Sequence, residues 1–334
     1  MSGQAPGEWV SLVLVGPTAV GKSELALRLA ERFHGAVLTA DSAQVYRGMD
    51  VGTDKPRLDQ RRRIPHYGID LAEPVAEFSV ANWLRAARDA LAECRRSRRL
   101  PVVAGGTGLY VEALLRGYRF APTSPRLRQQ LLVRLQEEGP EPLLRELAAR
   151  DPATYATIDR RNPRRLLRAL ERAILNEEPG GWEQRGEGER PALPDPAELR
   201  RLLGRTVIVG LCRNRAELVE RIRKRIAREM ADGLLEEVAG LLARGVPRSA
   251  ASMQALGYRQ LAAHLLDGLS LEGALDRLDR DTRRFAKRQM AWFRNRLPGA
   301  TWFNLSYATP GEVEGWVESA FARSAGMPEE RPAY

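Results

Sequence analysis

The stretch GPTAVGKSE, residues 16–24, has the pattern of a phosphate-binding loop, which indicates the fold class. It contains G-x-x-x-x-G-K-[ST] in full, ending in Lys22 and Ser23. The preceding run WVSLVLV (9–15) is apolar and rich in β-branched residues, which favours a buried strand. The following run ELALRLAERF (24–33) repeats its leucines with helical spacing. Strand, glycine-rich turn and helix start together predict a P-loop.

The loop offers groups that bind phosphate. Its glycines let backbone N–H groups converge on phosphate oxygens, and the helix N-terminus adds partial positive charge. Lys22 would reach the terminal phosphates, and Ser23 would ligate Mg²⁺. The alternative, a tight strand-to-helix turn without a ligand, is disfavoured because all three context elements agree. The expected phosphate-binding residues are Gly16, Pro17, Thr18, Ala19, Val20, Gly21, Lys22 and Ser23.

Composition narrows the class of protein. A chain of 334 residues suggests one large or two modest domains, and a hydrophobic content of 43% is enough for a core. Two distant cysteines and three isolated histidines predict neither a disulfide framework nor a zinc site. No apolar stretch approaches the ~20 residues of a membrane span, and the N-terminus lacks a signal pattern. We therefore expect a cytoplasmic protein without a membrane partner, and no feature suggests an obligate dimer.

The charge balance predicts a polyanionic partner. The chain has 53 Lys and Arg against 43 Asp and Glu, a net charge of +10, and few of the basic residues are Lys. A GC-rich genome would explain the preference for Arg over Lys, but it would not explain the excess of positive charge. Such an excess is typical of proteins that bind nucleic acid or other polyanions.

The order of the elements predicts an α/β protein with a P-loop-type parallel sheet and a helical insertion. AVLTA (36–40), LPVVAGGTG (100–108) and TVIVGLC (206–212) read as buried strands separated by helices. Three helical patterns but no strand pattern lie between Pro122 and Leu203, and the Gly-, Pro- and charge-rich segment 177–199 is predicted to be a flexible loop or linker. The predicted parts are a core of 8–121 and 204–310, an insertion at 122–203 and a C-terminal tail at 311–334.

A carboxylate and a second glycine-rich turn follow two of these strands. Asp41 follows the strand 36–40, and Gly105-Gly106-Thr107-Gly108 follows LPVVA, where P-loop NTPases usually carry an acid for Mg²⁺. Ligands of open α/β sheets lie beyond the carboxyl ends of the strands, so the P-loop, Asp41 and the GGTG turn should share one pocket. Asp41 would then position a nucleophile and accept its proton. The alternative is that Asp41 only forms a turn or caps a helix.

Six motifs, taken in order, make the chain resemble the tRNA dimethylallyltransferases of bacterial type, also called tRNA isopentenyltransferases. They are GPTAVGKS, DSAQVYRGMDVGTDKP, AGGTGLYVEALLRG, RNPRRLLRALE, MQALGYRQL and TRRFAKRQMAWFR. The second motif is highly specific, whereas the P-loop alone is not. The resemblance implies transfer of a dimethylallyl group from dimethylallyl diphosphate to N6 of adenosine at tRNA position 37, next to the anticodon, with release of diphosphate. It implies the tRNA anticodon stem-loop as partner and Mg²⁺ as cofactor.

The resemblance also implies roles for particular residues. The P-loop would hold the diphosphate of the prenyl donor, with Mg²⁺ on Ser23, rather than a nucleoside triphosphate. Asp41 fits the role of general base, because the exocyclic amine of adenine is a poor nucleophile. Thr18 and Arg225 complete the expected catalytic set, and Arg221 is expected on the diphosphate.

The tRNA is expected to contact four stretches of the chain. Adenine would face the segment that begins at Asp41 and the GGTG turn, while the stem would lie on two basic helices. Basic residues with interleaved aromatics suit RNA, although charge can serve solubility alone and Trp292 is expected to pack in the core. The expected tRNA-binding residues are Asp41, Ser42, Ala43, Gln44, Thr107, Arg165, Leu166, Leu167, Arg168, Arg284, Lys287 and Arg288.

Two other functions stay open at this point. A P-loop kinase of a small metabolite or nucleotide would explain Lys22 and Ser23, but not the DSAQVY block or the basic helices. A non-catalytic RNA-binding protein with a relic P-loop would explain the charge. The intact motif and Asp41 argue against it.

Overall fold

The computed structural model describes residues 9–118, 124–177 and 193–323. The strands are β1 (Val10–Val15), β2 (Gly35–Thr39), β3 (His66–Tyr67), β4 (Leu100–Gly105), β5 (Arg205–Cys212) and β6 (Thr301–Asn304). The helices are α1 (Lys22–Arg32), α2 (Leu58–Arg63), α3 (Val80–Arg96), α4 (Gly108–Arg116), α5 (Pro125–Glu138), α6 (Pro140–Arg150), α7 (Pro152–Thr157), α8 (Pro163–Glu177), α9 (Pro196–Leu203), α10 (Arg215–Ala231), α11 (Leu234–Ala243), α12 (Tyr258–Asp267), α13 (Leu271–Arg296) and α14 (Pro310–Ala322).

The six strands form one parallel sheet in the order β3-β2-β4-β1-β5-β6. In the centre, Val13 of β1 lies opposite Val103 of β4 on one side and Ile208 of β5 on the other. Leu12, Val13 and Leu14 are all fully buried, so both faces of β1 are covered. This explains the continuous apolar run at 9–15, because strands buried on both faces do not alternate with polar residues. The predicted α/β class with a parallel sheet is confirmed.

Two short strands at the edges of the sheet were not predicted from the sequence. β3 has two residues and pairs with β2, while β6 has four residues and pairs with β5. Neither is long enough to show the apolar run or the alternation by which a strand is recognised.

The described residues divide into two compact units. Of the described residues, 9–118 and 194–323 belong to unit one, and 124–177 and 193 belong to unit two. Helices α5 to α8 of unit two share a core of their own, which includes Leu131, Leu147 and Leu170. The short helix α7 was not predicted. The predicted linker 177–199 lies mostly outside the described residues.

The predicted insertion, 122–203, extends ten residues beyond the end of unit two at residue 193. Helix α9 belongs to unit one, because it is bonded to the start of β1. Ser11 Oγ donates to the carbonyl of Leu203 at 2.6 Å, and Trp9 Nε1 donates to the carbonyl of Leu202 at 2.7 Å. The Ser11 hydroxyl is buried and needs such a partner.

The predicted C-terminal tail is a packed helix as far as its residue 322. Val313 and Val317 of α14 are fully buried and belong to the core cluster that also contains Leu29 of α1. Arg28 Nε donates to Glu314 at 2.6 Å across the two helices. Pro310 and the Thr309 cap start this helix, and both were present in the sequence as start signals. Among the helices of the described ranges, none combines the length and the apolarity needed to cross a membrane.

Candidate active site

Four neighbouring strands end at the same edge of the sheet, and a polar segment follows each of them. The P-loop (16–21) follows β1, Asp41 follows β2, the GGTG turn follows β4 and Arg213 follows β5. Arg213 is hydrogen-bonded to the P-loop and Ser42 to Thr107 of the GGTG turn, while Gln289 bonds to both the P-loop and the GGTG turn. The structure therefore brings together the P-loop, Asp41 and the GGTG turn, as the sequence predicted.

Cations hold the carbonyl groups of the P-loop. Three side chains donate to three carbonyls: Lys22 Nζ to Pro17 at 2.7 Å, Arg221 Nε to Ala19 at 2.8 Å and Arg213 Nε to Val20 at 2.9 Å. Gly21, the residue before α1, has a φ of 110°, a conformation that side chains rarely adopt. The first turn of α1 leaves its N–H groups without helical partners, and such groups bind phosphate.

Thr18 is fixed at both its backbone and its side chain. Its N–H donates to Gln289 Oε1 at 2.8 Å, and its Oγ1 accepts a bond from Arg225 Nη1 at 2.8 Å. Arg225 also donates through Nε to Glu229 at 2.6 Å, and the Glu229 side chain is only 8% exposed. Burial raises the pKa of Glu229, while Arg225 opposes that shift. The two residues expected to act together, Thr18 and Arg225, are therefore in contact.

Lys22 lies among charged groups that shift its pKa in opposite directions. Burial lowers the pKa of its ammonium group to about 8, and the nearby Asp41 carboxylate opposes the shift. Arg225 lowers the same pKa by repulsion. Several cations thus share a small space, which is the condition under which an added polyanion is bound strongly.

Asp41 uses one carboxylate oxygen for a turn and leaves the other unbonded. Its Oδ1 accepts bonds from the N–H groups of Ala43 at 2.8 Å and Gln44 at 3.4 Å. Its Oδ2 has no hydrogen-bond partner within the described parts of the chain. The turn-forming role and the functional role that the sequence left open are therefore compatible, since each would use a different oxygen.

The GGTG turn lies against the residue after Asp41. Thr107 Oγ1 accepts a bond from Ser42 N at 2.9 Å and lies 3.3 Å from Ser42 Oγ. The preceding Gly106 has its carbonyl bonded by Gln289 Nε2 at 2.9 Å. A Cβ atom on Gly106 would lie 2.3 Å from that nitrogen, so glycine is required for this close approach. Gln289 thereby links the P-loop to the GGTG turn.

The loop that follows Asp41 is fixed by buried polar groups. Gln44 is buried, and its Nε2 donates to the carbonyl of Thr53 at 2.8 Å. Gln44 was predicted to contact the tRNA, and its side-chain amide nitrogen is bonded within the loop itself. Glu237 accepts bonds from three successive N–H groups, those of residues 50–52, and from the hydroxyl of Tyr258. These contacts hold the segment between Asp41 and Lys55 against α11 and α12.

The described residues contain no group of three His, Cys, Asp or Glu side chains that could hold a metal ion. Ser23 is exposed in the first turn of α1 and supplies one neutral oxygen. Mg²⁺ commonly takes most of its oxygen ligands from phosphate and water and few from protein. Ser23 therefore fits an ion that arrives with a phosphate ligand.

Comparison with known proteins gives the family. The model of a family described as IPP transferase matches residues 44–296, which is more than half of the chain. The chain belongs to the IPP transferase family. It is 45% identical to the tRNA dimethylallyltransferase of Thermomicrobium roseum over 309 residues, covering 92% of this chain and 88% of that protein.

Other members of the family agree over the same length. The tRNA dimethylallyltransferase of Bacillus subtilis is 36% identical, with 94% of this chain and 96% of that protein covered. The crystal structure of the full-length tRNA isopentenylpyrophosphate transferase of Bacillus halodurans superposes with a TM-score of 0.66 at 33% identity, covering 94% of this chain and 97% of that chain. The resemblance read from the six motifs is confirmed, and the protein is a transferase of the prenyltransferase class.

The family resolves the two alternatives left open by the sequence. A kinase of small metabolites would not share a prenyltransferase family model over residues 44–296. A non-catalytic protein with a relic P-loop is disfavoured because the relatives that match over most of the chain are named tRNA dimethylallyltransferases.

One face of α13 presents positive charge to solvent in this family member. Arg284, Lys287 and Arg288, which we call the basic face of α13, are exposed, and within the described residues none of the three has an ion-pair partner. Arg288 lies over the ring of Phe285 at 5.9 Å. Trp292, expected in the core, is half-buried and packs on Gly108, where a Cβ atom would lie 2.2 Å from its ring.

In unit two, the four residues expected at the tRNA have different surroundings. Arg165 is exposed, whereas Arg168 donates to the fully buried Glu171 at 2.8 Å. Arg128 donates to the same carboxylate at 2.9 Å. The side chains of Leu166 and Leu167 lie in the core of the unit instead of at its surface. Only their backbone is left for a contact with RNA.

Three residues of the site were missed by the sequence reasoning. Arg213, Glu229 and Gln289 contact the P-loop or a P-loop partner from segments far along the chain. One signal was available for Gln289. It falls on the inward stripe of α13, in phase with Leu278, Ala286 and Phe293, where a polar side chain needs a buried partner.

Proposed function

We propose that the protein transfers the dimethylallyl group of dimethylallyl diphosphate to N6 of the adenosine at tRNA position 37, with release of diphosphate. Family membership supports the reaction class. The observation that carries the proposal is the position of Asp41: its unbonded Oδ2 lies in the segment that touches the GGTG turn, and its charge acts on Lys22 of the P-loop. A proton acceptor therefore lies between a phosphate cradle and a second loop.

The donor diphosphate binds at the P-loop. Lys22, Arg221 and Arg225 supply positive charge, and the first turn of α1 supplies N–H groups. These groups stabilise the negative charge that grows on the diphosphate as it leaves. Mg²⁺ fits beside Ser23, where it would add a further positive charge to the diphosphate.

The transfer moves one bond and one proton. The lone pair of adenine N6 attacks C1 of the dimethylallyl group, the bond from C1 to the diphosphate oxygen breaks, and its electrons leave with diphosphate. N6 must then lose a proton, and Asp41 Oδ2 accepts it. A carboxylate can do this because the amine becomes acidic as the new bond forms. Exclusion of water from the site would protect an allylic cation-like transition state from hydrolysis.

The acceptor is an adenine in the loop of the anticodon stem-loop. An unpaired adenine must leave its stack to reach Asp41, which costs a few kcal/mol and least in an already single-stranded loop. Thr107 borders the position of Asp41 and is proposed to contact the entering nucleotide. The basic face of α13 and, separately, Arg165 of unit two suit the phosphates of the stem. We further propose that the protein works as a monomer in the cytoplasm.

The Asp41→Asn variant tests the proposal. Asparagine retains Oδ1 for the turn at Ala43 and Gln44 and removes the proton acceptor. We expect the rate of transfer, measured by nucleoside analysis of digested tRNA, to fall by about 10²–10⁴-fold, while tRNA affinity and the melting temperature change little. Nearly full turnover by the variant would restrict Asp41 to its turn. Absence of modified adenosine with the wild-type protein, dimethylallyl diphosphate, Mg²⁺ and tRNA would refute the function itself.

A further inference from the structure

Gln289 is the one side chain in the described parts of the chain that contacts both the P-loop and the GGTG turn by hydrogen bonds. Its Oε1 accepts the bond from Thr18 N–H at 2.8 Å, and its Nε2 donates to the Gly106 carbonyl at 2.9 Å. A backbone N–H can only donate and a carbonyl can only accept, so these partners fix the orientation of the amide. We call this arrangement the Gln289 bridge.

The bridge is buried and rigidly placed. Gln289 is 7% exposed and lies on the inward stripe of α13 between Ala286 and Phe293, both of which are buried. Other hydrogen bonds also fix the two segments that the bridge joins. Thr18 is bonded by Arg225 through its side chain, and Thr107, next to Gly106, is bonded to Ser42 and to the carbonyl of Ala40.

The two loops that the bridge connects have different proposed tasks. The P-loop holds the donor, and the GGTG turn borders Asp41, where the acceptor enters. The distance between donor carbon and acceptor nitrogen therefore depends on how far apart these loops are held. Reacting atoms must approach to about 3–3.5 Å, and a displacement of about 1 Å can cost 10²-fold in rate.

We propose that Gln289 is a positioning residue, which sets the separation of the donor and acceptor loops without touching either substrate. This inference rests on the proposed function for the identity of the two substrates. It makes two separable statements: the bridge orders Thr18 and Gly106 in the free protein, and that order raises kcat. An amide is required, because one end must accept a hydrogen bond and the other must donate one.

Two substitutions separate the halves of the bridge. Gln289→Met has similar volume and loses both bonds. Gln289→Glu retains an acceptor for Thr18 N–H and loses the donor to Gly106. We expect kcat for prenyl transfer to fall about 10²-fold in both variants, with KM for both substrates nearly unchanged. Hydrogen exchange at the Thr18 amide should accelerate with Met and stay slow with Glu.

A matched control is available in Gln260, which is also buried and also uses both ends of its amide. Its Oε1 accepts from Gly257 N at 3.0 Å, and its Nε2 donates to Asp281 at 2.9 Å. Gln260→Met should lower the melting temperature as Gln289→Met does, but it should retain kcat.

Three results would contradict a positioning role for Gln289. Wild-type-like kcat in Gln289→Met, equal loss of kcat in both Met variants, or a loss confined to KM would each overturn the proposal. If Gln289→Met does not fold, Gln289→Glu decides the matter by the same criteria. If the wild-type protein itself fails to modify tRNA, the proposed function is refuted, and exchange at Thr18 still tests the bridge.

Discussion

The arginines beside the P-loop and the basic face of α13 have the same chemistry and different surroundings. Arg213, Arg221 and Arg225 donate to the P-loop, and the Arg225 side chain is 23% exposed. Arg284, Lys287 and Arg288 are exposed and have no ion-pair partner among the residues described. The first set is held by hydrogen bonds within the protein, whereas no ion pair among the described residues holds the second set.

The different surroundings of the two sets suit two different anionic ligands, the donor diphosphate and the tRNA. Ordered, partly desolvated cations bind a small anion in one geometry, because the cost of arranging them is met by folding. Solvated cations on long side chains bind a phosphate backbone less specifically and release counterions as they do so. We therefore expect substitutions in the first set to affect chemistry and those in the second to affect salt-dependent tRNA binding.

Between these two sets, the larger effect is expected at Arg225. Arg225→Gln removes a cation from the donor site and leaves the buried Glu229 without its partner. We expect kcat to fall by about 10²–10³-fold with tRNA affinity unchanged. Lys224→Gln is the control, because Lys224 is exposed and forms only a 3.4 Å pair with Glu220. Comparable losses in both variants, measured by steady-state transfer, would contradict the distinction between the two sets.

The basic face of α13 should control the salt dependence of tRNA binding. Replacing Arg284, Lys287 and Arg288 together by Ala should reduce the log–log slope of affinity against salt by roughly 0.7–0.9 per lost phosphate contact. Binding of dimethylallyl diphosphate should not change. Arg32→Ala is the control, since Arg32 is already paired with Glu314 and Glu318. An unchanged slope in the triple variant, measured by titration at several salt concentrations, would place this face in solvent.

A smaller effect concerns pH and Lys22. The pKa of Lys22 in the free protein is about 8, and a bound diphosphate stabilises the ammonium form and raises that pKa. Above about pH 6, where the terminal phosphate of the donor is ionised, donor affinity should vary little up to pH 7 and then fall as Lys22 loses its proton, by roughly tenfold by pH 9. Calorimetric titration of dimethylallyl diphosphate measures this change. Lys22→Met should bind weakly and without pH dependence, and a flat wild-type profile would contradict the assignment.

The smallest effect is expected in unit two, where helix α8 carries both an exposed arginine, Arg165, and a paired one, Arg168. Arg165→Ala should reduce the salt slope of tRNA binding by about 0.7–0.9 and leave stability unchanged, because Arg165 is exposed. Arg168→Ala should change the slope less and lower the melting temperature, because Glu171 is fully buried and would lose one of its two arginines. The reverse assignment of the two effects would show that Arg168 is released from Glu171 to bind RNA.

The sequence revealed the parts of the fold that have strong local patterns. The runs at β1, β2, β4 and β5 are long and apolar, so each predicted a buried strand. β3 and β6 are too short to show a pattern, and the end of the insertion depended on a tertiary contact between Ser11 and Leu203 that no local pattern contains. Helix α14 has start signals at Thr309 and Pro310, although the prediction for 311–334 was a tail.

The same reasoning separates the site residues that were found from those that were missed. The P-loop, Asp41 and Thr107 lie in glycine-rich or turn motifs, which can be recognised from a few neighbouring residues. Gln289 and Arg213 act across 271 and 193 positions in the chain, so only the folded structure pairs them with Thr18 and Val20. Burial of Leu166 and Leu167 was likewise a matter of packing within unit two.

If the P-loop binds the donor and Asp41 activates the acceptor amine, the enzyme should consume the donor only as it modifies tRNA. Purified protein is incubated with Mg²⁺ and dimethylallyl diphosphate, with and without tRNA, and released diphosphate and modified adenosine are both counted. Because the P-loop is assigned to the donor and Asp41 to the acceptor amine, we predict one diphosphate for each modified adenosine, almost none without tRNA, and no turnover of ATP. Diphosphate release without tRNA at a comparable rate, or robust ATP turnover, would contradict the assignment of these two sites.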